Sequence, residues 1–125
     1  NHQNCKLMEK HMKKLDERNC IACRGGDPPA SKAERDFYFP QIPDWQIVQV
    51  DGQERLEKTF KFKKYLEAVD FTSKIGRWAE KQDHHPAILL EWGKVTVTWW
   101  THVVDGLHQN DFVSAAKSDT FYLDY

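Results

Sequence analysis

Between Trp45 and Thr101 the apolar pattern changes period twice, and this alternation constrains the fold more than any other feature of the chain. Trp45–Val50 and Leu56–Phe62 read as two strands joined through Asp51-Gly52, a dipeptide suited to a tight hairpin turn. In the second strand Leu56, Phe60 and Phe62 share one face, and Glu57, Thr59 and Lys61 the other. From Lys63 to about Gln82 the step lengthens: Tyr65, Ala68, Val69, Thr72, Ile75 and Ala79 draw one apolar stripe along a helix of roughly five turns. The period of two then returns in Ile88–Trp92 and Val95–Thr101, joined through Gly93-Lys94, where Val95, Val97 and Trp99 alternate with Thr96, Thr98 and Trp100. Ser31 with Glu34 three residues later forms a capping box that opens a short helix ending before Pro40. A last helix from about Gln109 to Tyr122 buries Phe112, Ala115 and Ala116. The order α-β-β-α-β-β-α predicts an α+β fold in two layers: a four-stranded, mainly antiparallel sheet with helices packed on one face.

Residues 31–125 hold all of this pattern, and residues 1–30 read as an N-terminal extension and linker. At 125 residues the chain suits one domain. A net charge of −1 supplies no field to recruit nucleic acid or an anionic membrane. No apolar run approaches the roughly 20 residues that span a bilayer. The chain starts at Asn1 without a methionine, as a processed or trimmed product would, and any targeting signal would have gone with the missing part. The reading places the protein in the cytoplasm, with nucleus or organelle left open.

Within the extension, Leu7, Met8, His11, Met12 and Leu15 have the spacing of a short amphipathic helix over residues 4–18, and residues 19–30 read as a Gly/Pro linker. The three cysteines, Cys5, Cys20 and Cys23, are an odd set and form no disulfide framework. Cys20-Ile-Ala-Cys23 has the spacing of half a zinc site or of a redox pair. A zinc site needs two further ligands, for which only Cys5, His2 and His11 are near in sequence. A redox motif opens a helix, whereas Arg24-Gly25-Gly26-Asp27-Pro28-Pro29 reads as loop. Ordinary thiols are the favoured reading.

The candidate chemistry lies in Lys81–His102. Pro86 disfavours helical geometry at His85, so His84 and His85 sit in the connection from the long helix to the third strand. His102 lies just past the fourth strand. In an antiparallel hairpin the start of one strand neighbours the end of the other, so topology alone gathers the three histidines. Imidazoles on loops over a rigid sheet suit acid–base catalysis, since their ordinary pKa of about 6.5 lets them give or take a proton near neutrality. The plainer alternative is that one caps the helix C-terminus and another bonds a loop carbonyl. A metal centre is disfavoured because adjacent histidines in extended chain point apart, although Asp111 could add a carboxylate. Asp111 also suits the first turn of the last helix. The chain has no Gly-x-Ser-x-Gly elbow and no phosphate-binding glycine loop.

Glu80-Lys-Gln-Asp83-His84-His85-Pro86, then a strand pair, then Thr101-His102, Gly106-Leu107 and Asp111-Phe112, resembles the pterin-4a-carbinolamine dehydratase family over about residues 31–122. The Pro40-to-Trp45 approach to the first strand belongs to the same likeness, and Cys-x-x-Cys-Arg-Gly-Gly-x-Pro-Pro looks like an extension found in some members. The resemblance implies dehydration of 4a-hydroxytetrahydrobiopterin to quinonoid dihydropterin and water, which recycles tetrahydrobiopterin without cofactor or metal. It implies that His84, His85 and His102 line the pocket, with His85 and His102 as the proton-transfer pair and His84 binding and orienting. Asp83, Pro86, Trp100, Thr101 and Val103 would contact the pterin, while Glu80 and Asp111 orient or tune imidazoles. Of Trp99 and Trp100, which alternate faces, one is expected in the core. His108 stands where relatives usually carry Ser or Thr and is expected to weaken the cap of the last helix. The family further implies a homodimer or homotetramer, and a possible protein partner. The alternative function is a non-enzymatic binding module on this fold, a transcription-factor dimerisation cofactor or an assembly factor.

Overall fold

The computed structural model describes residues 14–21 and 27–125. Its elements are helix α1 (Lys32–Tyr38), strands β1 (Gln46–Val50) and β2 (Gln53–Lys61), helix α2 (Tyr65–Gln82), strands β3 (Ala87–Glu91) and β4 (Lys94–Trp99), and helix α3 (Gln109–Tyr122). All strand pairings are antiparallel and the sheet order is β1-β2-β4-β3, so the two hairpins meet through β2 and β4 at the centre. This is the α+β architecture expected from the periods.

Local chemistry explains the boundaries. The Ser31 hydroxyl accepts from the Glu34 amide at 3.1 Å, and the Glu34 carboxylate accepts from the Ser31 amide at 3.1 Å, closing the capping box of α1. Asp51 and Gly52 both take positive φ, 52° and 77°, as a hairpin turn twisted like its strands requires.

The core lies between the sheet and the helices. Leu56 stands opposite Trp99 and Phe60 opposite Val95, and all four are buried. Against them α2 turns Ala68, Phe71, Ile75 and Ala79, whereas Tyr65 and Val69 are exposed. The buried stripe is thus rotated from the expected one. Phe71 anchors it, with its ring 4.7 Å from Phe60 and 5.2 Å from Phe62, and a large aromatic decides which face of a helix packs. From α3, Phe112 and Ala115 are fully buried. Lys58 also points to the core side, where its ammonium meets Asp119 at 2.7 Å. Burial pushes the Asp119 carboxyl above the usual range in spite of that partner. The opposite face of the sheet carries polar cross-strand pairs instead, Thr59 with Thr96 and Thr98 with Glu57, each at 3.0 Å.

The N-terminal segment differs from its sequence reading. The helix expected over 4–18 is, in its described part, a single 3-10 turn at Leu15–Glu17, and the rest lies outside the described residues, as do Cys5, Cys23 and Arg24-Gly25-Gly26. Residues 14–21 pack onto the domain: Leu15 is fully buried and Arg18 nearly so. Leu15 anchors residues 14–21, and the other residues of the expected stripe, Leu7, Met8, His11 and Met12, lie outside the described residues.

Candidate active site

The C-terminus of α2 fixes the first histidine. Asp83 adopts the left-handed conformation, its amide donates to Glu80, and the His84 amide reaches back to Ala79 at 3.2 Å. These two bonds form a Schellman cap, which reverses the chain and delivers it to Pro86 and β3. His84 therefore leaves the helix in one defined direction. Its ring stacks on Trp99, with centroids 5.4 Å apart and planes inclined by 18°.

His84 Nε2 lies 2.9 Å from Asp111 Oδ1. Asp111 is fully buried in the first turn of α3 and receives three donors. They are His84 Nε2–H, the Thr101 hydroxyl at 3.0–3.1 Å, and the His108 amide at 3.0 Å. A carboxylate only accepts, so this arrangement holds the His84 proton on Nε2 and leaves Nδ1 as the open position. The N-terminal end of α3 adds a favourable field for the buried charge. Two connections, α2 to β3 and β4 to α3, are joined to the first turn of α3 by one carboxylate.

The other two histidines stand apart from this cluster. His85 is more than half exposed, with Nε2 3.4 Å from the Glu80 carboxylate on the preceding helical turn. His102 is exposed, and its Nδ1 accepts from Trp100 Nε1–H at 3.2 Å. The Arg55 guanidinium covers the Trp100 ring from 3.9 Å. No hydrogen bond among the described residues joins His85 or His102 to His84. Register brings them to one end of the sheet: Ala87 pairs with Thr98, so the chain leading into β3 runs beside the chain leaving β4. Asp83 and Val103 are exposed at this end, Pro86 is half-buried, and Thr101 is buried and committed to Asp111. The Thr101 hydroxyl is thus taken up by Asp111.

Of the paired tryptophans, Trp99 is the core residue, fully buried with Nε1–H donated to Ser118 at 3.1 Å. His108 corrects the sequence reading of a weakened cap. Its Nδ1 accepts from the Asn110 amide at 3.1 Å while Asp111 closes the reciprocal bond, so an imidazole does the work usual for Ser or Thr. Sequence reasoning also missed Trp99 as the support under His84 and Arg55 as the cover on Trp100. The alternation of β4 gave the faces, but only the register of β2 against β4 puts Leu56 opposite Trp99 and so Arg55 near Trp100. Among the described residues no three His, Cys, Asp or Glu side chains gather as metal ligands, and no helix is long and apolar enough to cross a membrane.

Comparison with known proteins gives one consistent result. Residues 28–121 match the family described as pterin 4 alpha carbinolamine dehydratase. A Marinobacter nauticus protein whose name assigns it to pterin-4-alpha-carbinolamine dehydratase is 46% identical over 111 residues, which cover 89% of this chain and 100% of the relative. A Nitrosococcus oceani protein with the same name is 51% identical over 108 residues, 86% of this chain and 96% of the relative. A crystal structure of a transcriptional coactivator/pterin dehydratase from Brucella melitensis superposes with a TM-score of 0.66 at 31% identity, covering 75% of this chain and 98% of that one. The chain belongs to the pterin 4 alpha carbinolamine dehydratase family.

Proposed function

We propose that this chain dehydrates 4a-hydroxytetrahydropterins, the class that includes 4a-hydroxytetrahydrobiopterin, releasing water and a quinonoid dihydropterin. The C4a–O bond breaks, the departing oxygen takes a proton from one group, and N5 loses its proton to another. Two imidazoles satisfy both requirements, and general acid–base assistance of this kind contributes typically about 10²–10⁴ in rate. His85 and His102 are the proton-transfer pair. Both are exposed at the same end of the sheet, each with one ring nitrogen engaged, by Glu80 and Trp100 respectively, and the other open. His84 binds and orients the pterin, its ring immobilised between Asp111 and Trp99. Asp83, Pro86, Trp100 and Val103 form the wall, and Thr101 acts through Asp111.

One observation carries this reading: a fully buried carboxylate spends three hydrogen bonds on fixing the junction where His84 emerges beside two exposed imidazoles. The test follows dehydration of freshly generated 4a-hydroxytetrahydropterin by absorbance, for the intact chain and for His85→Ala and His102→Ala. The expected result is turnover well above the spontaneous rate, falling at least about 100-fold in each variant. A folded chain that adds nothing to the spontaneous rate would overturn the reading.

A second reading has its own support. The Brucella melitensis protein is named a transcriptional coactivator as well as a pterin dehydratase. In this chain the edge strands β1 and β3 expose Ile47, Val50 and Leu89, which suits pairing with a second copy or a protein partner.

A further inference from the structure

We infer that the segment Arg18–Ile21 is a clamp that positions the His84–Asp111 pair, a role that deepens the proposed function and rests on it. The segment precedes the family match, which begins at residue 28. Two consecutive residues of it grip the two helix ends from which the pair projects. The Cys20 amide donates to Gln82 Oε1 at 2.8 Å, and Gln82 is the last residue of α2, two before His84. The Ile21 amide donates to Asn110 Oδ1 at 2.9 Å, and Asn110 Nδ2 returns a bond to the Ile21 carbonyl at 2.7 Å. Asn110 directly precedes Asp111, and its own amide closes the His108 cap.

The clamp is itself anchored. Arg18 donates to the Tyr38 hydroxyl at 3.1 Å and to Gln109 Oε1 at 2.8 Å, with its guanidinium over the Tyr38 ring. Leu15 is sealed in the core, and Asp16 accepts from Thr120. The end of α2 and the start of α3 are therefore connected by two routes, directly through His84–Asp111 and indirectly through Gln82–Cys20–Ile21–Asn110. On the segment's side the second route uses only main-chain groups of two consecutive residues, and at the helix ends it uses the Gln82 and Asn110 side chains. Such a tie fixes the separation of the two helix ends, and with it the 2.9 Å bond that locks the His84 tautomer. Gln82 and Asn110 are positioning residues in this scheme, acting on the reaction only through His84.

The experiment compares Gln82→Ala and Asn110→Ala in the wild-type and His84→Ala backgrounds, measuring kcat and KM for 4a-hydroxytetrahydropterin and recording the His84 Nε2 proton by NMR. In the wild-type background each substitution is expected to lower kcat about tenfold, below the roughly hundredfold that a 1 Å misplacement near the chemistry can cost. In the His84→Ala background neither is expected to lower it further. With His84 present, its Nε2 proton should broaden or move upfield in both substitutions. Equal losses in the two backgrounds, or an unchanged Nε2 resonance, would overturn the clamp. Should Asn110→Ala fail to fold, Gln82→Ala, at the helix end, carries the test alone. A chain without dehydratase activity would defeat the proposed function, and the Nε2 resonance would still decide the clamp.

Discussion

Two kinds of histidine sit at one end of this sheet, and they are opposite in environment. His84 is almost enclosed, stacked on Trp99 and bonded to a carboxylate that has no contact with solvent. His85 and His102 are exposed, each held by one contact, to Glu80 and to Trp100. Under the proposed function, the difference separates two tasks that one residue cannot perform well together. A ring that must define a frame needs its partners fixed before any ligand arrives. A ring that must exchange protons needs a nitrogen within reach of the ligand. The same contrast appears in the adjacent tryptophans, where Trp99 supports the frame from below and Trp100 lies against an exposed imidazole.

The largest effect should come from breaking the buried side. Trp99→Ala removes the support under His84 and opens a cavity among β4, α2 and α3, so it should cost about 3–5 kcal/mol in chemical denaturation. Trp100→Ala should cost no more than about 1 kcal/mol in the same measurement. Equal losses at the two sites would erase the distinction. Next, Asp111→Ala leaves an imidazole N–H, a hydroxyl and a backbone amide in the interior without their acceptor, and should cost about 3 kcal/mol. His85→Ala, by contrast, should leave stability within about 0.5 kcal/mol. His108→Ala removes the side-chain cap of α3 while sparing Asp111, with an expected loss of about 1 kcal/mol that Ser at the same position should restore.

The smallest effect depends on pH. The Arg35 guanidinium beside Glu54 holds that carboxyl below its ordinary value of 4.5. A depressed carboxyl stabilises the folded state above its unfolded pKa, and that stabilisation disappears as pH falls through the folded value. The gap in stability between the wild type and Glu54→Gln should therefore be under about 1 kcal/mol at pH 7 and should narrow as pH falls below the ordinary carboxyl value of 4.5. A gap independent of pH would remove the ion pair from the account.

The fold was legible because period is a local property. Asp51-Gly52 announces its turn and Pro86 its helix end without reference to any distant residue. The gathering of histidine-bearing connections was legible for the same reason, since a hairpin forces its two ends together. The misreadings share a different cause. Whether Phe71 or Val69 packs depends on Phe60 and Phe62, which lie in another element. Whether Arg18 is the last residue of an exposed terminal helix or a buried anchor depends on Gln109, 91 positions away. His108 misled because residue type alone suggests a weak cap, while the ring nitrogen reaches the Asn110 amide only in the backbone geometry this turn adopts.

Gly106 bears on the site in a way its neighbours do not suggest. It has a φ of 111°, and a methyl group there would come within 3.1 Å of the Pro29 side chain and 3.3 Å of the Glu54 carboxylate. Two residues before it and one after it, Val104 and Leu107 are buried, and the Leu107 carbonyl takes the Ala30 amide at 2.7 Å. The loop bearing His102 is thus packed closely against the entry to α1. That tightness makes position 106 a mechanical adjuster. A side chain there would force either the Pro29 and Glu54 side chains or the loop itself to shift, while every polar group of the site kept its chemical identity.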